Sequence, residues 1–143
     1  NEYAKTHPET DIDVDKKAAA DAKALDKKGK KVIVEGRTQF HFLPESLKIF
    51  IKVDPDEGAR RIWKDLQDKD TQQKRNEGNI KSFEAMKKRI YEREEEDAAR
   101  YKKYYGFDHR DRSHYDLILD STNISAEKIA ESIINFIHSS NKI

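Results

Sequence analysis

The sequence predicts an α/β fold, a parallel sheet flanked by helices, and three observations carry that prediction. Three short apolar runs rich in β-branched residues, Val32–Val34, Leu47–Val53 and Leu117–Leu119, are each bounded by polar or turn-forming residues, as buried strands of such sheets are. Helical patterns fill the intervals between them. The resulting order is helix, strand, strand, long helical stretch, strand, helix.

Taken in order, Asp11–Lys27 is rich in Ala, Lys and Asp and reads as the first helix. The strand at Val32–Val34 runs into Glu35-Gly36-Arg37, a Gly turn with an Arg at its lip, where backbone can approach a ligand closely. The second strand ends at Asp54-Pro55, and a Pro there suits the start of a helix over Asp56–Asp68. From Lys69 to Asn79 there is no apolar residue, so Asp68–Lys81 is expected to be an exposed, mobile turn between two helices and the least ordered internal segment. Phe83, Met86 and Ile90 then recur at spacings of three and four, predicting a helix from Ser82 to Tyr104 that stops at Gly106, a usual C-cap residue. The third strand ends at Asp120-Ser121-Thr122. The last helix, Ser125–His138, places Ile129, Ile133, Ile134 and Ile137 on one face, with Ser125 as its N-cap.

The 143 residues suffice for one domain with a modest core, and with 40% charged residues a long polar excursion is expected. The 29 basic and 28 acidic side chains nearly cancel, which excludes a global bias toward nucleic acid or an acidic membrane; any anion site must be local. The absence of cysteine excludes a disulfide framework and a thiolate metal site. No apolar run approaches the roughly 20 residues of a membrane span and no signal peptide opens the chain, so a cytoplasmic protein is expected. Histidines 7, 41, 109, 114 and 138 are scattered without the paired spacing of a ligand set, and no dedicated metal site is expected. Tyr101, Lys102, Lys103, Tyr104 and Tyr105 interleave aromatics with base, as stacking surfaces of RNA-binding modules do. The near-neutral charge favours the plainer account, tyrosines packed at a helix end, and nucleic acid is not the expected partner.

The chemistry concentrates in Glu92–Gly106, EREEEDAARYKKYYG. On a helix, Arg93, Asp97 and Arg100 fall within roughly 60° of one another, a carboxylate between two guanidiniums, while Glu94, Glu95 and Glu96 fan out and read as solvating surface. Arg forks match phosphate oxygens, and the Asp can orient an Arg or accept from a ribose hydroxyl, so the stripe suits a phosphorylated ligand. From spacing alone the favoured reading is a surface ladder of ion pairs, each contributing about 0.2–0.5 kcal/mol, so a functional reading needs a second, independent signal.

Together with the Glu35-Gly36-Arg37 turn, LKIFIKVDPDEGARR (47–61), the lid-type helix just described and SHYDLILDST (113–122), the chain resembles cytidylate kinase, most closely its archaeal-type branch. The opening EYAKTHPETDIDVD (2–15) also resembles that family's monophosphate-binding region. The resemblance covers nearly the whole chain and implies a P-loop nucleoside monophosphate kinase-like fold with a helical lid. It implies a single partial kinase domain over 1–143, with 1–28 at the monophosphate-binding region and 56–112 as the lid region. The implied reaction transfers the ATP γ-phosphoryl group to CMP or dCMP with Mg2+. By the same resemblance, Arg37 contacts the CMP phosphate, Arg100 also meets phosphate, and Arg93 with Asp97 lies near the ribose, Arg93 and Arg100 being the catalytic pair. Arg60 or Arg61 would meet the ATP phosphates. Where the bacterial pattern has Asp after Gly-Arg, this chain has Thr38.

One element of the family is missing from the sequence. The G-x-x-x-x-G-K-[ST] loop that cradles phosphates does not occur; the five glycines, at 29, 36, 58, 78 and 106, are isolated. The expectation is that about 50 N-terminal residues carrying the first strand and this loop stand before Asn1 or on a second chain, the protein being otherwise a monomer. The alternatives are a catalytically inactive, kinase-like nucleotide-binding or oligomerising protein and, behind it, an RNA-binding module.

Overall fold

The computed structural model describes residues 6–68 and 82–140. The first helix, α1 (Pro8–Lys27), carries Glu9 and Asp11 in its first turn and Lys27 in its last, charges that complement the helix dipole. Its inward face is built of Ala19 and Ala22, both buried, so neighbouring chain can approach closely. Gly29 then takes φ 75°, and the amides of Gly29 and Lys30 return to the carbonyls of Asp26 and Leu25, a left-handed stop that a side chain would strain.

The expected strand at Val32–Val34 is not formed: these residues carry no regular structure, and Ile33 is almost fully exposed. A strand exists only through a hydrogen-bonded neighbour, and among the described residues none is offered to this run. The chain instead bends at Arg37 and Thr38 and enters a short helix that the sequence did not announce, α2 (Gln39–Phe42).

Strands β1 (Ile49–Lys52) and β2 (Leu117–Asp120) pair in parallel, Ile49 opposite Leu117 through Lys52 opposite Asp120. The pairing continues past both ends: the amides of Asp116 and Leu117 donate to the Lys48 carbonyl, and that of Ser121 to the Lys52 carbonyl. At the carboxyl ends the Asp54 amide donates to Thr122 Oγ1 (2.8 Å), tying together the two loops that leave the sheet. These are the loops where α/β sheets place ligands.

Helix α3 (Pro55–Gln67) starts on Asp54, whose carboxylate accepts from the amides of Asp56 and Glu57. It packs against α4 (Phe83–Tyr105), which starts on the Ser82 hydroxyl and ends at Gly106 with φ 81°. Met86 is fully buried in this region with Leu66 and Ala59, and Trp63 meets Phe83 edge-on. A one-turn 3-10 helix, Arg112–His114, leads into β2, and α5 (Ala126–Ser139) closes the described chain with Ile129 buried and Ile134, expected on the same face, half exposed. The expected mobile turn at Asp68–Lys81 lies outside the described residues apart from Asp68.

Candidate functional site

The site is assembled where α1, the bend before α2 and the middle of α4 meet. Asp97 is 7% exposed, and its two carboxylate oxygens are divided between two arginines. Oδ2 pairs with Arg37 Nη1, and Oδ1 with Arg100 Nη2 at 3.0 Å. Arg100 sits one turn beyond Asp97 on α4 and turns its Nε toward Asp11 Oδ2 of α1 at 2.8 Å, a charge contact whose angle does not make a hydrogen bond. Burial pulls the Arg100 pKa down, but the adjacent Asp97 and Asp11 carboxylates outweigh it and hold the guanidinium above its ordinary value. The result is a chain of alternating charge, Arg37, Asp97, Arg100, Asp11, drawn from three segments far apart in sequence.

Beside it, Asp15 on α1 accepts from two hydroxyls: Thr38 Oγ1 at 2.6 Å and Tyr105 Oη at 2.8 Å, both on its Oδ2. Burial and this bond to a carboxylate push the Tyr105 phenol far above its usual range, so it remains a protonated donor. Gln39 Nε2 donates to the Asp15 main-chain carbonyl at 3.2 Å. Thr38 and Gln39 are both more than nine-tenths buried.

The outer side of α4 is braced by the loop that follows it. His109, 4% exposed, makes a hydrogen bond through Nε2 to Glu94 Oε1 (3.1 Å), and Arg110 donates to Glu95 Oε1 (2.7 Å). The bond from His109, working against burial, lowers the Glu94 pKa. Glu94 is therefore not the solvating surface expected from the sequence, whereas Glu95 and Glu96 remain exposed. A fan of acids on a helix is free only if nothing docks there, and the 107–115 segment folds back over it. Arg110 also holds Asp108, which titrates down at about 2 because of that guanidinium.

Of the residues singled out in the sequence, Arg37, Asp97 and Arg100 are brought together. Arg93 lies one turn before Asp97 on α4 and is exposed. Arg60 and Arg61 do not join the cluster; they stand on α3, both paired with Glu57, and Arg61 Nη2 also donates to the carbonyls of Ser121 (2.8 Å) and Thr122 (3.1 Å) beyond β2. Tyr101 is buried and Tyr105 is engaged with Asp15, which leaves only Tyr104 of the three as an exposed ring.

The family model described as cytidylate kinase matches residues 10–139, which takes in every residue of this cluster. The chain belongs to the cytidylate kinase family. Among its relatives, the cytidylate kinase of Archaeoglobus fulgidus is 32% identical over 135 residues, 94% of this chain and 66% of that protein. The cytidylate kinase of Methanobrevibacter smithii is 27% identical over 134 residues, 94% of this chain and 68% of that protein. An S-adenosylmethionine-dependent nucleotide dehydratase of Lacinutrix mariniflava is 23% identical over 142 residues, 99% of this chain but 26% of that protein. The chain thus spans from about a quarter to about two-thirds of the length of these relatives. No solved structure matches it.

Cytidylate kinase membership implies a P-loop nucleoside monophosphate kinase-like α/β fold, with which the helices and the parallel β1–β2 pair are consistent. It also implies a divalent metal. Among the described residues no group of three or more His, Cys, Asp or Glu is placed to hold one. Sequence reasoning missed Asp11, Asp15, Gln39 and the Glu94–His109 bond. For the first two a signal existed: Asp11 and Asp15 stand four apart and share a face of α1. Gln39 and His109 had no such signal, because their partners are 24 and 15 residues away.

Proposed function

We propose that this chain carries the monophosphate site and lid of a nucleotide kinase that transfers the ATP γ-phosphoryl group to CMP or dCMP. The buried Asp97 shared between Arg37 and Arg100 supports this reading above all. Two guanidiniums held in place by one carboxylate offer forked donors to phosphate oxygens, and their geometry is set before the ligand arrives. In this reading Arg37 and Arg100 grip the 5′-phosphate of CMP, and Asp97, relieved of part of its pairing, accepts from a ribose hydroxyl. Arg93 stands one turn earlier on the same helix and reaches the ribose or the transferring group, with residues 1–28 and 56–112 serving as the monophosphate-binding and lid regions. Phosphoryl transfer depends chiefly on positioning and on neutralising charge, which is what a clamp of this kind supplies.

Arg61 is committed to the Ser121 and Thr122 carbonyls, whereas Arg60 is exposed and pairs, among the described residues, along its own helix with Glu57. Arg60 is therefore the one assigned to the ATP phosphates. Magnesium, when bound with the nucleotides, neutralises phosphate charge; no residue described here is assigned to hold it. Nucleotides in the cytoplasm are the expected small-molecule partners.

A second reading keeps the same clamp without the transfer, since the Arg37–Asp97–Arg100 cluster can hold a phosphate without catalysing. On that reading the chain binds CMP without turning it over. Titration calorimetry with CMP, run beside a coupled assay of ADP release with ATP and magnesium, separates the two. Binding with ADP release supports the kinase; binding without it supports the second reading; no CMP binding removes both.

A further inference from the structure

Glu94 stands where a second carboxylate could compete for the clamp. It precedes Asp97 by one helical turn on α4, so the two side chains are neighbours on the helix surface. Asp97 holds Arg37, which reaches it across 60 residues of chain. Glu94 feels the same guanidinium: its pKa is lowered by the bond from His109, against burial, and further by the charges of Arg37 and Arg110. The Arg37 side chain is 44% exposed, which leaves it room to turn toward another acceptor.

What engages Glu94 instead is His109. An ionised carboxylate only accepts, so His109 Nε2, bonded to Glu94 Oε1, is the ring nitrogen that carries the proton. The ring is buried and fixed from two further sides: it lies edge-on to Tyr101, with centroids 5.0 Å apart, and Tyr115 Oη donates to the His109 main-chain carbonyl at 2.6 Å. Arg110, the next residue, is occupied by Asp108 and Glu95. A donor held this firmly fixes its acceptor, and Glu94 Oε1 is spent on the segment that follows α4.

We propose that His109 is a positioning residue for the monophosphate site: by holding Glu94 it keeps a second carboxylate off Arg37 and leaves that guanidinium free to take phosphate oxygens. The proposal rests on the reading of the site as a CMP site. Asp97 and Glu94 differ in the respect that matters. Asp97 is buried and shared with Arg100, so it anchors Arg37 from within. Glu94 is longer and its side chain is 40% exposed, so once released it would meet Arg37 on the side open to ligand. There it would occupy the guanidinium fork and repel the phosphate. His109 itself touches neither the nucleotide nor the reacting atoms.

The test is equilibrium binding of CMP to the full chain and to His109→Asn, His109→Gln, Glu94→Gln and the double variant His109→Asn/Glu94→Gln, at a temperature where thermal melts show each to be folded. A Gln amide places a donor near the position of Nε2 and keeps Glu94 engaged, whereas the shorter Asn places it near Nδ1 and releases Glu94. His109→Asn should weaken CMP binding about fivefold, the effect of one partly exposed ion pair that the phosphate must displace. His109→Gln should stay within about twofold of the wild type. The double variant should recover to within about twofold, because a neutral amide no longer competes for Arg37. Wild-type affinity in His109→Asn, or a loss there that the double variant does not recover, would overturn the proposal and leave the CMP reading standing. Glu94→Gln alone keeps His109 in place and should bind CMP within about twofold; a loss of about fivefold or more would make Glu94 part of the phosphate grip and overturn the proposal even if no His109 variant folds. Failure of the wild type to bind CMP overturns both.

Discussion

Replacing Asp97 by Asn keeps the shape of the side chain and removes the one charge on which Arg37 and Arg100 converge. The consequence depends on how far those partners are shielded from water. A fully buried pair broken on one side costs about 3–5 kcal/mol, and an exposed one about 0–1 kcal/mol. The Asp97 side chain is 10% exposed and Arg100 21%, but Arg37 is 44% exposed and water screens it. Arg100 also retains Asp11 at 2.8 Å. The expected loss therefore falls between the two limits, about 1.5–3 kcal/mol, which for a domain of this size lowers Tm by about 4–8 °C. Thermal and urea denaturation of Asp97→Asn, Arg37→Gln and the double variant would measure it, with a coupling between the two sites above about 0.5 kcal/mol. CMP affinity should fall about tenfold in Asp97→Asn, because the arginines lose their common anchor. If stability and CMP affinity both stay at wild-type values, Asp97 does not organise the two arginines and the clamp has no basis.

Four further outcomes are expected. Arg100→Ala should weaken CMP binding far more than Glu95→Ala, since Glu95 pairs with Arg110 on the outer side of α4 and has no place in the clamp; calorimetric titration compares them. Glu94→Gln should lower Tm at neutral pH, because the folded Glu94 has a pKa depressed by His109 and so contributes stability above its unfolded value of 4.5. That deficit should shrink as pH falls from 4.5 through the lower folded pKa, which melts across an acid series would reveal. Arg61→Ala should cost about 1–2 kcal/mol in urea unfolding, because two strand-end carbonyls lose their donor, while Arg60→Ala should stay within about 0.5 kcal/mol. Gly106→Ala should cost about 1 kcal/mol from backbone strain alone, for φ is 81° and nothing stands within 4 Å of the added carbon.

What the sequence by itself determined about this protein is its local structure and one end of its site. The helices at α1, α3, α4 and α5, the stop at Gly106 and the strands β1 and β2 were legible because each rests on apolar spacing, a capping side chain or a left-handed glycine within a few residues. The Asp97–Arg100 pair was legible for the same reason, since residues three apart on a helix must be neighbours. The run Val32–Val34 has the composition of a strand and did not become one, because a strand is a relation between two segments and composition describes only one. Tertiary structure alone decided that Arg37 closes on Asp97 across 60 residues, that Asp11 and Asp15 of α1 face the same cluster, and that Glu94 is claimed by His109. Those contacts join segments whose order in the chain carries no record of their distance in space, and they set the polarity and charge of the site.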